Sequence, residues 1–81
     1  MRITLLYFAQ AAEVAGRDRE ELELPGGAAA GDALAEARRR HAGLAAAGFR
    51  PLLAVNQAWA APDRALADGD EVAVLPPVSG G

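Results

Sequence analysis

The two ends of this chain carry the same kind of segment, and that constrains the fold more than any other feature. At one end Ile3, Leu5 and Tyr7 alternate with Arg2, Thr4, Leu6 and Phe8; at the other, Val72 and Val74 alternate with Glu71, Ala73 and Leu75. Alternation of period two marks a strand with two distinct faces. Between the ends lies one main stretch of helical spacing, from Gly31 to about Gly43, with Leu34, Ala37, His41 and Leu44 on one side. Glu36, Arg39 and Arg40 fall on the other side, and Glu36 with Arg40 forms an i,i+4 pair in the favourable direction.

The remaining segments are shorter. Gln10 to Ala15, closed by Gly16, predicts a helical turn or two with a glycine stop. Arg19 to Leu24 predicts a second strand, with Leu22 and Leu24 inward, ended by Pro25-Gly26-Gly27. Gly48 closes the main helical stretch, Leu52 to Asn56 reads as a third strand, and Gln57 to Ala61 as a short fourth around Trp59. Asp68-Gly69-Asp70 is a tight turn, because Asp-Gly readily supplies positive φ. The expected architecture is α+β: a mixed sheet of four to five strands with one main helix packed on one face. A β-grasp (ubiquitin-like) arrangement fits best, with the first and last strands side by side and parallel in the sheet centre. The domain spans 1–75, and 76–81 form an extended tail.

Size and composition exclude several function classes. Eighty-one residues make one small domain with a thin core, since much of the 52% hydrophobic content is alanine. With no cysteine and one histidine, neither a thiol nucleophile nor a zinc cluster can be assembled, and no metal site is expected. The net charge of −3 argues against a nucleic-acid binder, and all eight basic residues are arginine. Arg38-Arg39-Arg40 reads as a solvated helix face beside Asp32 and Glu36. His41 has no partner at a recognisable relay spacing and reads as a core-margin residue. No apolar run suits a signal peptide or a membrane span, so a cytoplasmic protein is expected.

Alternation also leaves an apolar set on the sheet face away from the helix: Leu6, Phe8, Ala73 and Leu75, with Trp59 nearby. Such a patch either marks a protein partner or is covered by residues 57–70 folding back over it. The end of the chain is the other unusual feature. Pro76-Pro77-Val78 stiffens the segment and blocks strand pairing, and Ser79-Gly80-Gly81 can thread a channel too narrow for side chains. Extended, the six residues reach roughly 20 Å. The expected chemical handle is the Gly81 carboxylate; the alternative is a disordered terminus that happens to be rich in glycine.

Four segments carry a family resemblance: Leu6-Tyr7-Phe8-Ala9-Gln10, Ala54-Val55-Asn56-Gln57, Leu66 to Ala73 with its Asp-Gly-Asp-Glu-Val turn, and the closing Pro76-Pro77-Val78-Ser79-Gly80-Gly81. The chain resembles the MoaD-type ubiquitin-like sulfur carriers that serve as small subunits of molybdopterin synthase. The resemblance implies that an adenylating enzyme, using ATP, activates Gly81, which becomes a thiocarboxylate. It further implies sulfur transfer to cyclic pyranopterin monophosphate in a pocket of a large subunit, within a heterotetramer of two small and two large subunits. The chain would bind no cofactor and would be a co-substrate rather than an enzyme. Pro76, Pro77, Val78, Ser79 and Gly80 would thread the partner, and Phe8, Trp59 and Leu75 would bind it. Carriers for thiamine synthesis or tRNA thiolation, and ubiquitin-like protein modifiers, share the fold and the Gly-Gly ending. The chain departs from its relatives at Ala30, where a hydroxyl cap is common, and at Trp59, which is larger than the usual aliphatic.

Overall fold

The computed structural model describes residues 1–46 and 50–76. Strand β1 (Arg2–Tyr7) is followed by helix α1 (Gln10–Ala15), strand β2 (Arg19–Glu23), helix α2 (Ala30–Arg40), a 3-10 turn (Ala42–Ala45), and strands β3 (Leu52–Val55), β4 (Ala58–Ala60) and β5 (Glu71–Leu75). The five strands form one sheet in the order β2-β1-β5-β3-β4. β1 and β5 lie parallel at its centre, with Leu5 opposite Val72 and Tyr7 opposite Val74. All other pairings are antiparallel. This is the β-grasp arrangement that the alternating ends predict.

The alternation sorts the two faces as expected. Ile3, Leu5 and Tyr7 of β1, Leu22 of β2, Leu53 and Val55 of β3, and Val72 and Val74 of β5 are buried against Ala33, Leu34 and Ala37 of α2 and Leu44. Alanine at positions 30, 33 and 37 of α2 lets the helix lie close to the sheet, which is how a thin core still excludes water.

Three local details differ from the sequence reading. The main helix ends at Arg40 rather than near Gly43: His41 adopts φ −128°, ψ 93°, and the chain continues as the 3-10 turn. His41 turns inward there because its ring finds a partner on β2, described below. Leu24 lies just past β2 and is only half-buried, while Leu22 is buried. Asn56 and Gln57 do not extend the strands but form the β3–β4 hairpin turn, at φ 50° and 72°, the pair of positive values a tight hairpin requires. The Gly48 stop lies outside the described residues.

The missing hydroxyl cap at the start of α2 is made good from elsewhere. The Asp32 carboxylate accepts from the Ala29 amide at 2.8 Å. The Ala30 and Gly31 amides donate to the Arg64 and Pro62 carbonyls at 2.9 and 2.8 Å, satisfying donors that a helix start otherwise leaves open. Gly31 suits that approach, since a Cβ there would meet the Pro62 Cβ and carbonyl oxygen at 3.1 Å, closer than most such contacts.

Candidate functional site

The uncovered face of the sheet holds a trough, and the cross-strand register explains its shape. Leu6 of β1 lies opposite Ala73 of β5, Ala73 opposite Ala54 of β3, and Ala54 opposite Trp59 of β4. Two alanines in the middle of the sheet make a low floor between larger side chains. In the next row Leu75 faces Leu52 across β5 and β3, and Phe8 joins from the end of β1, its amide donating to the Val74 carbonyl at 3.2 Å. The resulting hollow of about 430 Å³ is walled by Leu6, Phe8, Trp59 and Leu75, with Gln57 and Glu71 as its polar edge.

The trough is open to solvent. Trp59 is 68% exposed, Phe8 45% and Leu52 37%. Residues 61–66 do not fold over it. They run to the other side of the sheet, where Ala65 bridges Ala29, the Leu66 amide donates to the Ala28 carbonyl at 3.0 Å, and the Leu66 side chain enters the core. A cluster of exposed aromatic and aliphatic side chains over a concave floor is the composition of a protein-docking surface.

The sequence-predicted residues divide into two groups. Phe8, Trp59 and Leu75 are brought together around the trough. Pro76 follows β5 directly and is half-buried, whereas Pro77, Val78, Ser79, Gly80 and Gly81 lie outside the described residues. Ala54 and Leu52 belong to the face as well. Their signal is present in the sequence, because period two places them opposite Leu53 and Val55.

Phe8 stands on an unusual turn. Its carbonyl accepts from the Ala11 amide at 3.0 Å, and Ala9 between them has φ 50°, ψ −124°. Glycine is the usual residue for such a turn, and a Cβ there strains the backbone.

Behind Phe8, on the helix side, is a polar cluster that the sequence does not announce. The Tyr7 hydroxyl donates to Glu20 Oε1 at 2.6 Å, and His41 Nε2 meets the same oxygen at 2.6 Å. Arg17 and Arg40 approach Glu20 Oε2 at 3.5 Å each. The Glu20 side chain is only 7% exposed. Burial pushes its carboxyl up, but the donated hydrogen bonds from Tyr7 and His41 outweigh that and hold it below the usual range. Burial, and then the bond to Glu20, push the Tyr7 phenol the other way, well above its ordinary value. His41 therefore does have a carboxylate partner, supplied from 21 residues away by the packing of β2 against the end of α2.

Two of the three arginines in the run are held in ion pairs. Arg39 and Arg40 both bond to Glu36, whose carboxyl they lower to about 2, and Arg40 also reaches the Glu21 carbonyl. Among the described residues no group of three or more His, Cys, Asp or Glu side chains could hold a metal ion, and no helix is long and apolar enough to cross a membrane.

Comparison with known proteins places the chain. The ThiS family model matches residues 5–81. A molybdopterin synthase sulfur carrier subunit from Chlamydomonas reinhardtii is 43% identical, with both chains covered in full. That from Escherichia coli is 41% identical over 98% of this chain and 99% of the relative. Among solved structures, SAMP1 from Haloferax volcanii superposes with a TM-score of 0.88 at 35% identity, each chain fully covered. With its β-grasp fold and full-length matches of this kind, the chain belongs to the ThiS family.

Proposed function

We propose that this chain is the sulfur carrier subunit of a molybdopterin synthase and that Gly81 is its reactive residue. The observation that carries this reading is the end-to-end likeness, at 41–43% identity, to two carrier subunits of that enzyme. The trough beside β5 gives the likeness a physical basis, since the strand that lines it is the one from which residues 76–81 depart.

The chemistry runs through the terminal carboxylate. A carboxylate is a poor electrophile, so one of its oxygens first attacks the α-phosphorus of ATP in a partner adenylating enzyme and pyrophosphate leaves. A sulfide-level donor then adds to the carbonyl carbon and AMP departs with that oxygen, leaving a thiocarboxylate. The sulfur is a soft nucleophile at neutral pH, and the large subunit's pocket would direct it to cyclic pyranopterin monophosphate. Pro76 to Gly80 thread that pocket, while Phe8, Trp59 and Leu75 anchor the carrier on the partner's surface. Two small and two large subunits make the working assembly, located in the cytoplasm. This chain acts there as co-substrate, with no cofactor of its own.

Intact-mass measurement after incubation with the cognate adenylating enzyme, ATP and a sulfur donor tests the reading. A gain matching one sulfur-for-oxygen exchange is the expected result; no AMP adduct and no exchange would sink it. The likeness to SAMP1, a small archaeal modifier protein, favours one second reading, in which Gly81 is joined to target lysines. Conjugate ladders in the native host that vanish when Gly81 is deleted would decide for it.

A further inference from the structure

Anything that seats in the trough must deal with Glu71. It stands at the polar edge of the hollow beside Gln57, and it is half-buried before any partner arrives. The ion pairs among the described residues engage Glu20, Glu23 and Glu36, and none reaches Glu71. The Asn56 amide beside it is already used: Nδ2 donates to Asp70 at 2.9 Å, and Oδ1 accepts from the Glu71 backbone amide at 3.0 Å. Glu21 lies in the same cross-strand row, opposite Thr4, which is itself opposite Glu71. That end of the face is therefore negative. The cations of the face do not offset it: Arg2 is bonded to Glu23, and Arg19 lies opposite Leu6 on the edge strand, outside the hollow.

An occupant made only of apolar atoms would strip water from the Glu71 carboxylate and return no hydrogen bond, at a cost that grows with burial. A cation answers it. The opposite wall suits the same guest, because Trp59, 68% exposed, presents the aromatic ring with the greatest attraction for a positive charge. Between the two lies the floor of Ala54 and Ala73, low enough to admit an aliphatic stem. Along β5, Glu71 is one same-face position from Ala73, roughly 7 Å, and Ala73 leads through Ala54 to Trp59. Ring, floor and carboxylate thus border one hollow.

We propose that the trough receives an arginine side chain of the partner protein, its stem on the alanine floor and its guanidinium between the Trp59 ring and the Glu71 carboxylate. The proposal rests on the reading of this face as the docking surface for a large subunit. Arginine fits better than lysine, because a flat guanidinium lies on an indole and still bonds a carboxylate in its own plane. Phe8 and Leu75, at the other end, are left for apolar side chains of the same partner. The surface that fits here is an arginine set beside an apolar patch.

The full chain is titrated calorimetrically against the purified large subunit of the same organism, at low and at high salt. Wild-type affinity is expected to fall as salt rises, and an affinity that does not change with salt would overturn the proposal on its own. Glu71→Gln, which keeps the shape and removes the charge, should bind about fivefold more weakly at low salt, with the difference closing at high salt. Asp63→Asn removes a charge from the helix side of the sheet and should leave the affinity unchanged. Equal affinity of Glu71→Gln and wild type at low salt would overturn the proposal, as would an equal loss in Asp63→Asn. Trp59→Leu keeps an apolar wall without the ring, and combining it with Glu71→Gln should cost less than the sum of the two losses, since both act on one guanidinium. Strict additivity would mean that ring and carboxylate meet different groups, and the proposal would fall. Neither side chain belongs to the core, so both variants are expected to fold, with circular dichroism as the check. Failure of the wild type to bind the large subunit at all would instead overturn the functional reading.

Discussion

The two faces of the central sheet are written by the same strands, yet they have opposite fates. On one, Ile3, Leu5, Val55, Val72 and Val74 are fully buried beneath α2. On the other, Leu6, Ala73 and Leu75 are left half-exposed between Phe8 and Trp59. Apolar side chains are therefore spent on stability on the first face and left open on the second, where only a partner can desolvate them. Single substitutions should separate these two uses.

The largest effect is expected on the covered face. Leu5→Ala removes a side chain with 0% exposure and should lower stability by about 2–5 kcal/mol, read from denaturant unfolding. A loss below about 1 kcal/mol would mean that this face is not the core. On the open face, Phe8→Ala, Leu75→Ala and Trp59→Ala should each leave the unfolding midpoint nearly unchanged while weakening partner binding, with about 2 kcal/mol for the tryptophan by calorimetry. Unfolding of Phe8→Ala or Leu75→Ala would erase the distinction between the faces.

Two smaller effects sharpen it. The Glu20 carboxyl is held below its ordinary value of 4.5 in the folded protein, so between the folded and unfolded values the unfolded chain binds more protons. Stability from this group is present above 4.5 and is lost as pH falls through the folded value. Thermal melts from pH 6 downward should show that loss, and Glu20→Gln should flatten it. Last, Ala9→Gly should raise stability by about 1 kcal/mol, because relief of the strained turn exceeds the extra freedom of glycine in the unfolded chain. A drop in melting temperature would show that the Phe8 turn is not strained.

Much of this was legible in the sequence. The central parallel pair follows from the alternation at residues 2–8 and 71–75, and the trough follows from the same alternation read on its other phase. Trp59 and Phe8 stood out as large side chains assigned to an uncovered face. What the residues hid is of another kind. Glu20 meets His41, and Pro62 and Arg64 cap α2, across separations that leave no periodic trace, so no local window could show them. The early end of α2 has the same origin: helical spacing continues through His41, but the contact with Glu20 and Tyr7 takes that residue out of the helix.

The position of β5 has a mechanical consequence. It is hydrogen-bonded on both sides, to β1 and to β3, and it is the strand on which any pull applied through Pro76 acts. A load along a strand held by two neighbours stresses both ladders in shear together, instead of opening one bond at a time. A load entering at Pro76 is thus shared between two ladders, and β5 is held more firmly than either edge strand, β2 or β4.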